Sequence, residues 1–297
     1  MALTQKLFLQ ISFLVLSLIA YRCDAQKLLS GYVNVDGTKV YVEAGGKGDP
    51  VILVHAGFMD RRMWKYQTPA LLNKHQVVLV DLPGHGQTID TMQAPLAEKV
   101  IRVVMDSLHI HTAAFAGISL GAAAVLDFAT SYPDKVGKLV LISAGLSGWE
   151  EGRQLQPDTR EYFKLLDTSL KKRDTAAAAE VFTHYWLEGP KRSNVDVDSS
   201  LRRTVLNTIY YNMKQHRASG WPKSSSPSAI HKLAMIKAPV LLIAGTEDMN
   251  EVLQINKYLA TNITGAKQVM VPDAGHFLNL ERPQELNKAL LQFLGGQ

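Results

Sequence analysis

The chain has 297 residues, 46% of them hydrophobic and 20% charged, with a formal net charge of +5. That length suits one large domain or two small ones and is ample for a buried core. The composition excludes a disordered tail protein, a collagen-like fibre and a disulfide scaffold. The single cysteine, Cys23, excludes an intramolecular disulfide and a Cys-rich metal site. The charge is small and carries no Lys/Arg block, so no nucleic-acid partner is expected.

Residues 1–25 read as a secretory signal peptide. Lys6 supplies a positive n-region, and Leu7–Ala20 is a 14-residue apolar run broken only by Gln10, Ser12 and Ser17. Cys23-Asp24-Ala25 then offers small residues at −3 and −1 of a cleavage site before Gln26. The run is shorter than the ~20 residues that span a bilayer, which makes a retained anchor the second reading. Cleavage after Ala25 would remove the only cysteine and leave a secreted or periplasmic protein with no stable membrane insertion.

The next elements are strands. Tyr32–Val35 and Lys39–Val42 flank Asp36-Gly37, a hairpin signal. Short apolar runs recur at Val51–Val54, Val77–Val80, Ala113–Ala116, Leu139–Ile142, Val240–Ala244 and Gln268–Val271. They lack alternation, as strands buried on both faces do. Helix-period segments at Ala94–Leu108, Leu120–Tyr132 and Gln284–Phe293 lie between or after them, so a mostly parallel sheet flanked by helices is expected. Residues 146–226 break the pattern. They hold helical segments near Arg160–Leu170, Ala176–Leu187 and Ser199–Arg217, with Trp149, Trp186 and Trp221. They are expected to form a helical insertion over one end of the sheet. The core would then be 26–145 and 227–297.

Gly117-Ile-Ser119-Leu-Gly121 follows a strand and opens a helix. Such a G-x-S-x-G elbow needs small residues around a sharp turn that presents the serine. A serine hydroxyl is a weak nucleophile and needs a base, itself oriented by an acid. His276 follows the last strand in a glycine-bearing loop and is the expected base. Asp248 follows the strand 240–244 and is the expected acid, with Glu247 beside it as the second choice. The order Ser119, Asp248, His276 agrees with the elbow motif. The turn after the third strand, His55-Ala56-Gly57-Phe58, can aim a backbone N–H at a developing oxyanion. Gly57 is the first choice of donor and Phe58 the second, with the Leu120 N–H completing the pair. His55 is expected to brace this turn, and Asp81 to hold neighbouring turns. No His/Asp/Glu cluster has metal-ligand spacing. Asn262-Ile-Thr264 matches an N-glycosylation sequon.

Together these segments resemble the α/β-hydrolase superfamily, in its serine-nucleophile branch of lactonases, carboxylesterases and carbon–carbon hydrolases. Five stretches carry the resemblance in order: His55–Trp64, Asp81–Gly86, Gly117–Gly121, Gly245–Asp248 and Gly275–Pro283. The resemblance implies an α/β-hydrolase fold with an eight-stranded sheet, an antiparallel second strand, and a helical cap inserted after strand six. Two departures stand out. The usual His-Gly-X turn reads His55-Ala56-Gly57 here. The nucleophile is serine followed by Leu120, which disfavours dehalogenase and epoxide-hydrolase chemistry.

The leading expectation is a secreted serine hydrolase of a small-molecule carboxylic ester or lactone, with no cofactor and no metal. A carbon–carbon hydrolase or a cofactor-free perhydrolase would use the same triad. A non-catalytic ligand-binding member of the fold is the third reading.

Overall fold

The computed structural model describes residues 27–91, 93–190, 192, 197–216 and 223–295. The expected signal segment and Trp221 lie outside them. Eight strands form one sheet in the order β1-β2-β4-β3-β5-β6-β7-β8. They are β1 (Leu29–Val35), β2 (Thr38–Gly45), β3 (Asp49–Val54), β4 (His75–Val80), β5 (Ala113–Ile118), β6 (Val136–Ile142), β7 (Val240–Gly245) and β8 (Lys267–Val271). β2 runs antiparallel to both of its neighbours, and every pair from β4 through β8 is parallel. The β1–β2 turn is closed by Asp36 and Gly37, both at positive φ, which matches the right-handed twist of a hairpin.

The unbroken apolar runs have a simple cause. In β3, Ile52 and Val54 enter one hydrophobic core while Val51 and Leu53 enter the other, on the opposite face of the sheet. Successive side chains point to opposite faces, so a strand covered on both sides must be apolar at every position. The Ile52 and Val54 core is completed by α2 (Ala97–Ser107) and α3 (Leu120–Ser131). The other core takes α1 (Gln67–Leu72) and the C-terminal helix Pro283–Gly295. Each fully buried Val, Leu or Ile adds roughly 1.5–3 kcal/mol to the sandwich.

Between β6 and β7 the chain is helical. α4 (Pro157–Lys171), α5 (Thr175–Thr183) and α6 (Ser199–Gln215) pack on one another, and a π-helical turn at His184–Glu188 follows α5. Their starts are locally encoded. Pro157 opens α4, whereas the Asp174 and Asp198 carboxylates accept first-turn N–H bonds of α5 and α6. Val205, Ile209 and Met213, spaced by four, are the buried stripe of α6. These three cap helices coincide with the segments expected from helical periodicity. The helix α7 (Asn250–Asn262), by contrast, lies outside the helix-period segments expected from the sequence, although Val252, Ile255 and Leu259 give it a buried face.

Candidate active site

All five motif loops gather at the C-terminal edge of the parallel strands, where open α/β sheets place their ligands. Ser119 follows β5 at φ 54°, ψ −114°, a left-handed conformation that costs a non-glycine residue roughly 1–3 kcal/mol. The strain is held in place by its main chain: Ser119 N–H donates to Ile142 O at 3.1 Å, and its carbonyl accepts from Ala123 and Gly145. Gly121 is required here for contact reasons. A Cβ at that position would lie 2.2 Å from Val54 O. The start of α3 therefore abuts the end of β3. The Leu120 N–H, at the first position of α3, has no intrahelical partner and sits at the positive end of the helix dipole.

The acid and base are brought together from different strand ends. His276 Nδ1 lies 2.9 Å from Asp248 Oδ1 and 3.1 Å from Oδ2, with both side chains almost fully buried. The Met249 N–H also donates to Asp248 Oδ1, at 2.8 Å. Close packing sets this meeting, because a Cβ on Gly245 would fall 2.0 Å from Ala274 O. Glu247 is excluded from the pair by its direction. Its carboxylate accepts from Thr246 Oγ1 at 3.0 Å instead. The loop bearing His276 is held by Glu281, which accepts from Gly275 N–H at 2.6 Å and pairs with Arg192 at 2.7 Å. No hydrogen bond joins Ser119 to His276 among the described contacts. Nucleophile–base bonds often tighten only in the substrate complex.

The turn after β3 is tightly built. Met59 N–H closes it onto Ala56 O at 3.1 Å, and Phe58 takes φ 54°. His55 accepts the Leu82 N–H at Nε2, which leaves Nδ1–H to donate to Ala56 O at 2.8 Å. Burial lowers its pKa, so the ring is a neutral brace. Asp81 accepts from the backbone N–H groups of Arg61 and Gln87 and from the Arg61 guanidinium. The Gly57 N–H has no acceptor among the described backbone contacts.

The tryptophans divide. Trp149 is buried and donates to Glu251 Oε1 at 2.5 Å, so it packs the insertion against α7. Trp186, in the π-helical turn of the cap, lies with its ring centroid 4.3 Å from that of His276. Phe182, one turn earlier, makes edge contact with Phe58 at 5.1 Å. Helical periodicity does not distinguish a site-facing tryptophan from one that packs the insertion; only the tertiary packing separates them. His109 and His111 are exposed, and no group of three or more metal-binding side chains occurs among the described residues.

The comparisons with known proteins agree with this fold. The sequence profile of the alpha/beta hydrolase fold family matches residues 49–283, and the chain belongs to that family. It is 29% identical over 289 residues to a 2-hydroxy-6-oxononadienedioate/2-hydroxy-6-oxononatrienedioate hydrolase of Burkholderia vietnamiensis, covering 89% of this chain and 95% of that one. It is 27% identical to the carboxylesterase YbfK of Bacillus subtilis, covering 89% and 87%. The crystal structure of that carboxylesterase superposes with a TM-score of 0.73 at 24% identity, over 91% of this chain and 93% of the other. An enol-lactonase structure from Burkholderia xenovorans gives a TM-score of 0.71 at 21% identity, over 89% and 100%. The protein is a hydrolase of the α/β fold.

Proposed function

We propose that the chain is an exported serine hydrolase that cleaves a small carboxylic ester or lactone through an acyl-enzyme on Ser119. The buried Asp248–His276 pair at 2.9 Å, at the same sheet edge as the strained Ser119 elbow, carries this reading. Ser119 Oγ attacks the carbonyl carbon while its proton passes to His276 Nε2. The carbonyl oxygen becomes an oxyanion and accepts N–H bonds from Leu120 and from the turn at Gly57, with Phe58 the second candidate there. Asp248 stabilises the imidazolium through Nδ1–H. Collapse of the tetrahedral intermediate breaks the carbon–oxygen bond, and His276 gives its proton to the departing alkoxide. A water molecule, deprotonated by His276, then attacks the acyl carbon and releases the carboxylic acid and Ser119.

Hydrolysis of a carbon–carbon bond is the second reading, supported by the 29% identity to the Burkholderia vietnamiensis hydrolase. The acidic products and substrates that the name of that relative denotes call for a cation in the site. Here Arg192, which a side chain at Gly275 would strike, is already bound to Glu281. Among the described residues, that pairing leaves Arg192 committed to Glu281 and not to a second substrate carboxylate, which supports the ester or lactone reading.

The test is labelling and turnover. Wild type should react with a fluorophosphonate probe and hydrolyse a p-nitrophenyl ester or lactone faster than a vinylogous diketone. Ser119→Ala should lose both labelling and turnover. Persistent labelling of the variant would sink the assignment of Ser119. Export rests on residues 1–25 alone, and N-terminal sequencing of secreted material should begin at Gln26.

A further inference from the structure

Asn212 is on the cap helix α6, yet its side chain is only 1% exposed and bonds to two loops of the sheet domain. Its Nδ2 donates to Phe58 O at 3.1 Å and to Asp60 Oδ2 at 3.2 Å, as well as to Thr208 O within its own helix. Its Oδ1 accepts the Gly86 N–H at 2.7 Å. This orientation of the amide is forced. A flip would set NH2 against an N–H and a carbonyl against a carbonyl. Four residues on, His216 at the C-terminal end of α6 bonds Gly86 O through Nε2 at 3.1 Å, so the Gly86 segment is gripped by α6 and by the residue that ends it.

The grip matters because of what the two loops do. Phe58 O belongs to the turn that holds Gly57, and Phe58 sits in the left-handed region. Asp60 caps the next helical turn, at Arg61–Trp64, by accepting from Arg62 N–H. Gly86 packs on Asp81: a Cβ there would fall 2.1 Å from its carboxylate, which itself bonds Arg61. Asn212 thus closes a ring of polar contacts around the turn, and the closing member comes from the cap.

We propose that Asn212 is a positioning residue for the oxyanion turn, so that the cap sets the aim of the Gly57–Phe58 backbone as well as covering the site. This rests on the serine-hydrolase reading for its kinetic consequence, but not for its structural one. A misplacement of about 1 Å from a site that touches no substrate can cost about 100-fold in rate.

The experiment compares Asn212→Asp, which keeps the shape but turns the donor into an acceptor, with Asn212→Ser as the milder variant should the first fail to fold. Val205→Ala, on the same helix but facing the hydrophobic core, controls for loss of cap stability. For p-nitrophenyl butyrate, kcat of the Asn212 variants should fall about 10- to 100-fold with KM within about threefold. Affinity for a phenylboronic acid, whose tetrahedral adduct occupies the oxyanion site, should fall in parallel. Val205→Ala should lower Tm and leave kcat and boronate affinity within about twofold. Folded Asn212 variants that match Val205→Ala in kcat and boronate affinity would overturn the proposal. Amide hydrogen exchange across residues 55–59 separates its failure from that of the serine-hydrolase reading. If wild type neither turns over esters nor binds boronate, the hydrolase reading falls. Faster exchange at the turn in Asn212→Ser than in Val205→Ala still supports Asn212, and equal exchange refutes it.

Discussion

The Trp186 ring stands 4.3 Å from the His276 imidazole, centroid to centroid, at a tilt of 55°. A cap residue therefore covers the face of the candidate base. The contact excludes water from the imidazole and adds an aromatic pair worth about 0.5–1.5 kcal/mol beyond area burial. Trp186→Ala should lower kcat/KM about 10-fold or more for bulky aromatic esters. The effect on acetate esters should be smaller. An acyl-length series measures it, and equal loss across the series would refute a covering role for the ring.

Asp248, not Glu247, faces His276. Asp248→Asn should hold the ring in the wrong tautomer and reduce kcat by about 10⁴-fold. Glu247→Gln should leave kcat within about threefold, because its carboxylate bonds only Thr246 among the described side chains. Steady-state kinetics on both variants decides the assignment. Equal losses would mean that the two acids share the role.

Two histidines of the cap–loop contact should respond to pH with opposite sign. His216 is surrounded by acceptors, Asp90 Oδ2 at 2.7 Å and Gly86 O at 3.1 Å, so only the imidazolium satisfies both nitrogens. Burial opposes its charge, but the Asp90 and Gly86 bonds outweigh that and hold its pKa above the usual 6.5. A raised folded-state pKa gives stability that is complete below about 6.5 and is lost as pH rises through the folded value. The Tm gap between wild type and His216→Phe should thus be largest near pH 6 and shrink toward pH 9. His85 is buried beside His55, and burial drives its pKa down to about 3. It contributes stability above about 6.5 that is lost as pH falls toward 3. Acid unfolding followed by circular dichroism should therefore be less steep between pH 6 and 3 in a folded His85→Gln variant.

Gly121 has no room for a methyl group against Val54 O at 2.2 Å. Gly121→Ala must push α3 away from β3, moving the Leu120 N–H relative to the turn at Gly57. Overpacking of this kind costs about 1–3 kcal/mol. Thermal melts should show a Tm several degrees lower, with kcat reduced more than KM is raised. A wild-type kcat in a destabilised variant would show that the spacing of α3 and β3 does not set the oxyanion donors.

The sequence by itself determined the sheet and the turns at its edge. Strand runs without alternation follow from burial on two faces, and the Asp36-Gly37 hairpin and the Ser119 elbow depend on turn geometry that few residue types permit. Those constraints act over a handful of neighbours, so they leave a readable local trace. The helical segments of the cap are legible for the same reason. What tertiary structure alone decided is which distant side chains meet. The Asp248–His276, Trp186–His276 and Asn212–Phe58 contacts join residues 28, 90 and 154 positions apart, and the first of them falls on Asp248, which the sequence already ranks ahead of Glu247. Helical spacing puts Asn212 on the buried side of α6, three residues after Ile209 and seven after Val205. That spacing does not say which groups the Asn212 amide meets. Its role is set only when α6 docks on the sheet edge and the amide, removed from water, must find the Phe58 carbonyl and the Gly86 N–H.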